Sequence, residues 1–136
     1  MKNILAFLIV GLGFLCSCES RDGDWDSMVW ESNDVSNINK NKNIEVPQAG
    51  NTYVFKNYKN FWVYAIQENG KQIGDTQLSI DCKKYEDNNI SISIEKNKMN
   101  VTFFPNEEYQ IRNISIGITA GDIFNSFFFK QKGKDN

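Results

Sequence analysis

Two adjacent glutamates, three cysteines and a run of phenylalanines are the residues of this 136-residue chain whose spacing invites chemistry, and histidine is absent altogether. Without an imidazole there is no His-activated nucleophile, no His metal site and no His proton shuttle. Glu107-Glu108, following Pro105-Asn106, offers two carboxylates. Glycoside hydrolysis needs its carboxyls about 5 Å or more apart across a sugar, held in a cleft that adjacent side chains on a small domain do not supply. Asp22-Gly23-Asp24-Trp25-Asp26 has the outline of a calcium loop, yet Ser27 stands where the glycine belongs and Asn33 where the bidentate glutamate belongs. No catalytic residue, metal site or cofactor is therefore expected. With 15 Lys+Arg against 17 Asp+Glu the chain is slightly acidic, which argues against nucleic acid as a partner.

The cysteines point to an address. Lys2 precedes an unbroken apolar run from Ile4 to Leu15, which as a helix would rise only about 18 Å against a hydrocarbon core of roughly 30 Å. Such a segment reads as an export signal and not as a permanent span. Leu15-Cys16-Ser17-Cys18 resembles a bacterial lipobox. The resemblance implies a signal peptide over residues 1–17 and lipidation of Cys18, with cleavage before Cys16 or an ordinary secretory cut near Ser17 as alternatives. Two or more acyl chains of palmitate type would hold the protein on a membrane, since each buried methylene contributes about 0.8 kcal/mol. The expected location is the bacterial outer membrane, at the cell surface or its periplasmic face. Residues 18–27 then form a polar, acidic tether, and Glu19–Ser27 at full stretch reaches roughly 30 Å. Cys82 is left alone, without an intrachain disulfide partner, and reads as a buried strand residue.

Residues 28–136 must position whatever surface acts. Apolar residues recur at every second position and are interrupted by Asn, Gly, Lys and Asp clusters, which is the all-β pattern. Strands are expected near Met28–Glu31, Ile44–Val46, Thr52–Lys56, Phe61–Gln67, Gln77–Cys82, Asn89–Glu95, Met99–Phe104, Ile111–Thr119 and Ile123–Gln131. Alternation sends Tyr53 and Phe55, Ile90, Ile92 and Ile94, Met99, Val101 and Phe103, Ile114, Ile116 and Ile118, and Phe127 and Phe129 inward. Seven to nine short strands in about a hundred residues match an immunoglobulin-like β-sandwich, with a closed barrel as the other possibility.

The chain also resembles the Bacteroidetes-associated carbohydrate-binding often N-terminal (BACON) family and related small lipoproteins. The carriers are Val46 to Phe55 opening the domain, Phe61-Trp62-Val63, Asn106 and Arg112 before Ile114-Ser115-Ile116-Gly117-Ile118, and the closing Phe127-Phe128-Phe129-Lys130-Gln131. That resemblance implies an immunoglobulin-like sandwich and a glycan or mucin-type ligand. It supplies no matched sugar-contacting residue.

If the Ile111–Thr119 strand lies between Phe61–Gln67 and Ile123–Gln131, the outer face of that sheet follows from parity. It presents Asn113, Ser115, Gly117 and Thr119 in the middle, Phe124, Ser126, Phe128 and Lys130 on one side, and Phe61 and Val63 on the other, while Trp62 is expected in the core. Small polar residues between aromatic walls suit a sugar ring. An exposed phenylalanine patch also suits another envelope protein, or cover by part of Ser32–Asn43, and on an edge strand it would be an aggregation hazard. Immunoglobulin topology would put Asn57–Asn60 and Ala120–Asp122 near the lipid and leave Asn69, Lys71, Glu107 and Tyr109 as outward contacts at the opposite end. The candidate ligand contacts are thus Phe61, Ser115, Phe124, Phe128, Asn69 and Tyr109.

Overall fold

The computed structural model describes residues 27–73 and 84–136. The signal peptide, Cys18, most of the tether, and the expected strand at Gln77–Cys82 with Cys82 lie outside the described residues. Ten strands are present there: β1 (Trp30–Glu31), β2 (Asn43–Val46), β3 (Asn51–Asn57), β4 (Trp62–Glu68), β5 (Lys71–Gln72), β6 (Lys84–Glu86), β7 (Ile90–Glu95), β8 (Lys98–Phe103), β9 (Arg112–Ala120) and β10 (Ile123–Gln131). No helix occurs among the described residues. Eight of them fall where the alternation places strands, whereas β5 and β6, with two and three residues, are too short to carry a period and were not foreseen.

The strands form two five-stranded sheets, ordered β1-β3-β8-β7-β6 and β2-β10-β9-β4-β5. Neighbours are antiparallel except for β2, which runs parallel to β10 from Asn43↔Phe128 to Gln131↔Val46. Strand β10 is therefore an interior strand and not the edge that its sequence left open. The chain changes sheets through the polar stretch between β1 and β2. Asn39 anchors that stretch by accepting from the Trp30 amide at 2.7 Å and donating to the Trp30 carbonyl at 2.8 Å, so that its side-chain amide takes the place of a neighbouring strand. Beyond the short β1, the Asp34 carboxylate accepts the Val54 amide at 2.8 Å. Ile38 drops into the core beneath this crossing.

Every member of the alternating inward sets, from Tyr53 and Phe55 to Phe127 and Phe129, is buried. The two sheets meet through aromatic contacts. Trp30 makes edge-on contacts with Phe61 and Phe127, both at 4.9 Å, and Phe55 lies 4.6 Å from Phe127. Phe103 and Phe129 continue the layer at 4.8 Å. Burying a ring of this size contributes about 1.5–3 kcal/mol, so this aromatic spine joins the sheets together with the buried Ile, Val and Met side chains around it. At the β2–β3 corner Gly50 has φ +86°, and a Cβ there would sit 2.0 Å from the Phe103 carbonyl oxygen, so only glycine fits.

One end of the sandwich is closed by polar groups instead. Arg112 is buried and reaches three partners: Glu68 at 3.3 Å, Gln131 at 3.1 Å and Asn106 at 3.2 Å. Gln131 donates onward to the Phe104 carbonyl at 2.8 Å, and Asn106 donates to the Gln110 carbonyl at 2.9 Å and the Lys132 carbonyl at 3.2 Å. A buried charge is tolerated only when its donors find acceptors, and this network meets that condition.

Candidate ligand-binding face

The outer surface of the β2-β10-β9-β4-β5 sheet is set by register. Phe124 lies opposite Thr119 and Thr119 opposite Trp62, Ser126 opposite Gly117 and Gly117 opposite Ala65, and Phe128 opposite Ser115 and Ser115 opposite Gln67. On the far flank Asn43 pairs with Phe128 and Glu45 with Lys130, which in turn faces Asn113. The expected order, with β9 in the middle, is observed, and the β9 and β10 residues point as parity requires.

Strand β4 does not. Phe61 and Val63 are fully buried in the core, and Trp62 lies half-buried on the outer side. The assignment of Phe61 and Val63 to the face and of Trp62 to the core is thereby corrected. The cause is a β-bulge between Val63 and Ala65 that places Tyr64 and Ala65 together on the outer side. With apolar residues on both parities of Phe61–Ile66, the pattern alone could not reveal the extra residue.

Tyr64 therefore takes the place foreseen for Phe61. Its ring lies directly over Gly117, where a Cβ would come within 2.7 Å of Tyr64 Cζ. It meets Phe124 edge-on at 5.5 Å. Phe124 is 63% exposed and Phe128 50% exposed, so the pair stands open to solvent along β10. The Ser32–Asn43 connection does not cover them: its Lys42 carbonyl accepts the Phe128 amide at 2.9 Å along the strand edge and leaves the ring free.

Around Phe128 the face deepens into a groove of about 450 Å³ lined by Asn43, Glu45, Gln67, Asn113, Ser115 and Lys130, among others. Ser115 and Phe128 meet there as foreseen. Asn69 stands at its rim in a left-handed conformation, φ 50°, donating its amide to the Asn113 carbonyl at 2.8 Å and accepting the Asn113 amide at 2.9 Å. Its role is to fix the β4–β5 turn, and Gly70 beside it lines the groove. Tyr109 is 64% exposed on the loop before β9, at the same end of the sandwich but not in the groove. The candidate contacts thus separate into Ser115 and Phe128 in the groove, Phe124 farther along the face, Asn69 and Tyr109 at the end, and Phe61 in the core.

Thr119, foreseen on the face, spends its hydroxyl on the Gly121 and Ile123 carbonyls at 2.8 and 3.0 Å. Glu107 lies exposed beside Lys134 at 4.0 Å, and no cluster of three metal-ligating side chains occurs among the described residues. Among the described residues, the titrations that are displaced lie on the other sheet. Tyr85 is pushed up to about 12 by burial and by its hydrogen bond to Asp87, while the Lys84 ammonium holds the Glu86 carboxyl below its usual range.

The polar cap was missed as a structural device. Asn106 and Arg112 stood out in the sequence only as part of a family likeness. The available signal was that Arg112 and Gln131 occupy inward parity at strand ends, directly opposite one another.

Counting β1, β3, β8 and β7 as A, B, E and D, and β4, β9 and β10 as C, F and G, the two sheets have the strand order of an immunoglobulin-like β-sandwich, with β5 added beside C. The domain is of that class. A solved NMR structure of a protein from Bacteroides thetaiotaomicron is similar to it at 28% identity and a TM-score of 0.71, covering 85% of this chain and 94% of that one. Titin domain M7 aligns at 10% identity and a TM-score of 0.44, covering 68% of this chain and 86% of that one. Titin domain M1 aligns at 10% identity and 0.45, covering 80% of this chain and 96% of that one. No family model and no curated protein matches the chain.

Proposed function

We propose that the protein is a lipid-anchored cell-envelope module that works by binding and not by catalysis, and that its ligand is a glycan. The observation that carries this reading is the open face of the second sheet, where exposed Phe128 stands in a groove rimmed by the amides of Asn43, Gln67 and Asn113 and the hydroxyl of Ser115. The C–H faces of a sugar pack on an aromatic ring while amides and hydroxyls bond its substituents. Lipidation of Cys18 is proposed from the lipobox-like Leu15-Cys16-Ser17-Cys18. The described domain begins beside Tyr58, whose hydroxyl donates to the Ser27 carbonyl at 3.0 Å. A tether arriving there would present the groove, which opens near the opposite end of the sandwich, away from the bilayer.

A second reading has its own support. Phe124 and Phe128 project from one side of one strand, and such a pair also suits the docking of another envelope protein. A glycan array probed with the full chain and with its Phe124→Ser/Phe128→Ser variant separates the two. Glycan signal lost in the variant supports glycan binding. Absence of signal from the native chain, with a defined envelope protein captured only by the native chain, supports docking. Mass spectrometry of the native product tests the anchor: a diacyl or triacyl mass on Cys18 is expected, and an unmodified thiol there would refute it.

A further inference from the structure

We infer that the face takes an internal stretch of a linear, uncharged glycan running along β10, and not a single terminal sugar. This rests on the glycan reading above and specifies the ligand. Phe124 and Phe128 are four residues apart on the same side of a regular strand, hence about 13 Å apart along it. That exceeds the span of one pyranose ring, so one sugar cannot rest on both platforms and a run of linked rings can.

The path between the platforms runs along β10 over the small Ser126, with the Tyr64 ring, which covers Gly117, as its wall on the β9 side. Each platform is held in its own way: Phe124 is braced edge-on by Tyr64, and Phe128 stands at the groove. The polar groups along the path are free to bind. The side chains of Gln67, Asn113, Ser115 and Ser126 make no hydrogen bond among the described residues.

Charge sets the class of chain. Among the described residues, the register rows from Phe124 to Phe128 contain no ionisable group other than the Tyr64 phenol, and the two charges that flank the groove, Glu45 and Lys130, are opposite in sign and lie in register across β2 and β10. The groove thus carries no net charge that would select an acidic or an amino sugar. Uncharged hydroxyl-rich rings complement it.

The test is an affinity series with the full chain in detergent, using neutral linear gluco-, manno- and galacto-oligosaccharides from monosaccharide to hexasaccharide, beside an array of charged and branched glycans. Affinity that rises about tenfold or more between disaccharide and hexasaccharide supports the inference. So does a comparable loss on the hexasaccharide from Phe124→Ala and from Phe128→Ala, each with an unchanged unfolding midpoint. A plateau at the disaccharide, or full binding by Phe124→Ala, overturns the extended-chain inference and leaves the glycan reading standing. Binding confined to charged or branched glycans does the same. No binding to any glycan overturns both.

Discussion

The two sheets obey the same alternation and turn their apolar residues to the same core, but their outer faces differ. On the first sheet the outward residues meet one another: Thr52 and Thr102 hydroxyls lie 3.1 Å apart, Ser91 donates to Glu86 at 3.1 Å, and Lys84 pairs with Glu86 at 2.8 Å. Its outward positions on β3, β7 and β8 carry no aromatic ring. The second sheet turns Trp62, Tyr64, Phe124 and Phe128 outward, and among the described residues the side chains of Gln67, Asn113, Ser115 and Ser126 beside them make no hydrogen bond. Phe124 and Phe128 lie outside the core that joins the sheets, so the aromatic face is not what holds the sandwich together. Exposed rings side by side on one strand add little to folding and mark a surface on which something can pack.

The largest expected effect lies beneath that face. Arg112→Ala removes the centre of the polar cap, takes a donor from Gln131 and Asn106 and leaves Glu68 with Asn89 as its remaining partner, and about 3 kcal/mol of stability should be lost, read as a lowered midpoint in chemical denaturation. A loss below about 1 kcal/mol would show that the cap does not support the second sheet. Next, Gly117→Ala puts a methyl where the Tyr64 ring lies. It should cost about 1 kcal/mol or less, because the ring can swing away, while abolishing the Tyr64 contact to Phe124. The Phe124 ring resonances in NMR would report that change.

Smaller still, Phe124→Ala and Phe128→Ala should each change stability by no more than about 0.5 kcal/mol, as Thr52→Ala and Thr102→Ala on the first sheet should. The contrast is in binding, which only the phenylalanine variants should weaken. If the two pairs behave alike in binding, the distinction between the faces fails. The smallest effect concerns Tyr85. Its raised pKa means that the folded state favours the neutral phenol, so its contribution is complete below the unfolded value near 10 and fades as pH rises through about 12. Alkaline titration of stability should therefore be shallower between those values in Tyr85→Phe.

Period-two alternation made the core legible, because inward sets such as Ile90, Ile92 and Ile94 admit one reading. It failed at Phe61–Ile66, where apolar residues on both parities hide a bulge that flips Phe61 inward and Trp62 outward. It placed β2 but was silent on its parallel seat on β10, which follows a polar connection with no period. It also left the cap unread, since Arg112, Gln131 and Asn106 acquire partners only when three distant segments meet. Of the site, Ser115, Phe124 and Phe128 were readable from strand parity. Tyr64 and the amides of Asn43 and Gln67 join them through tertiary register, which one strand at a time does not disclose.

The central claim is that ligand sits on the outer face of the second sheet. Amide and aromatic NMR spectra of the full chain, titrated with the tightest oligosaccharide of the neutral series, test it most directly. The account predicts shifts concentrated on Gln67, Asn113, Ser115, Phe124, Ser126 and Phe128, with Thr52, Ser91 and Thr102 unmoved. Shifts centred on the first sheet, or none anywhere at saturating sugar, would contradict it.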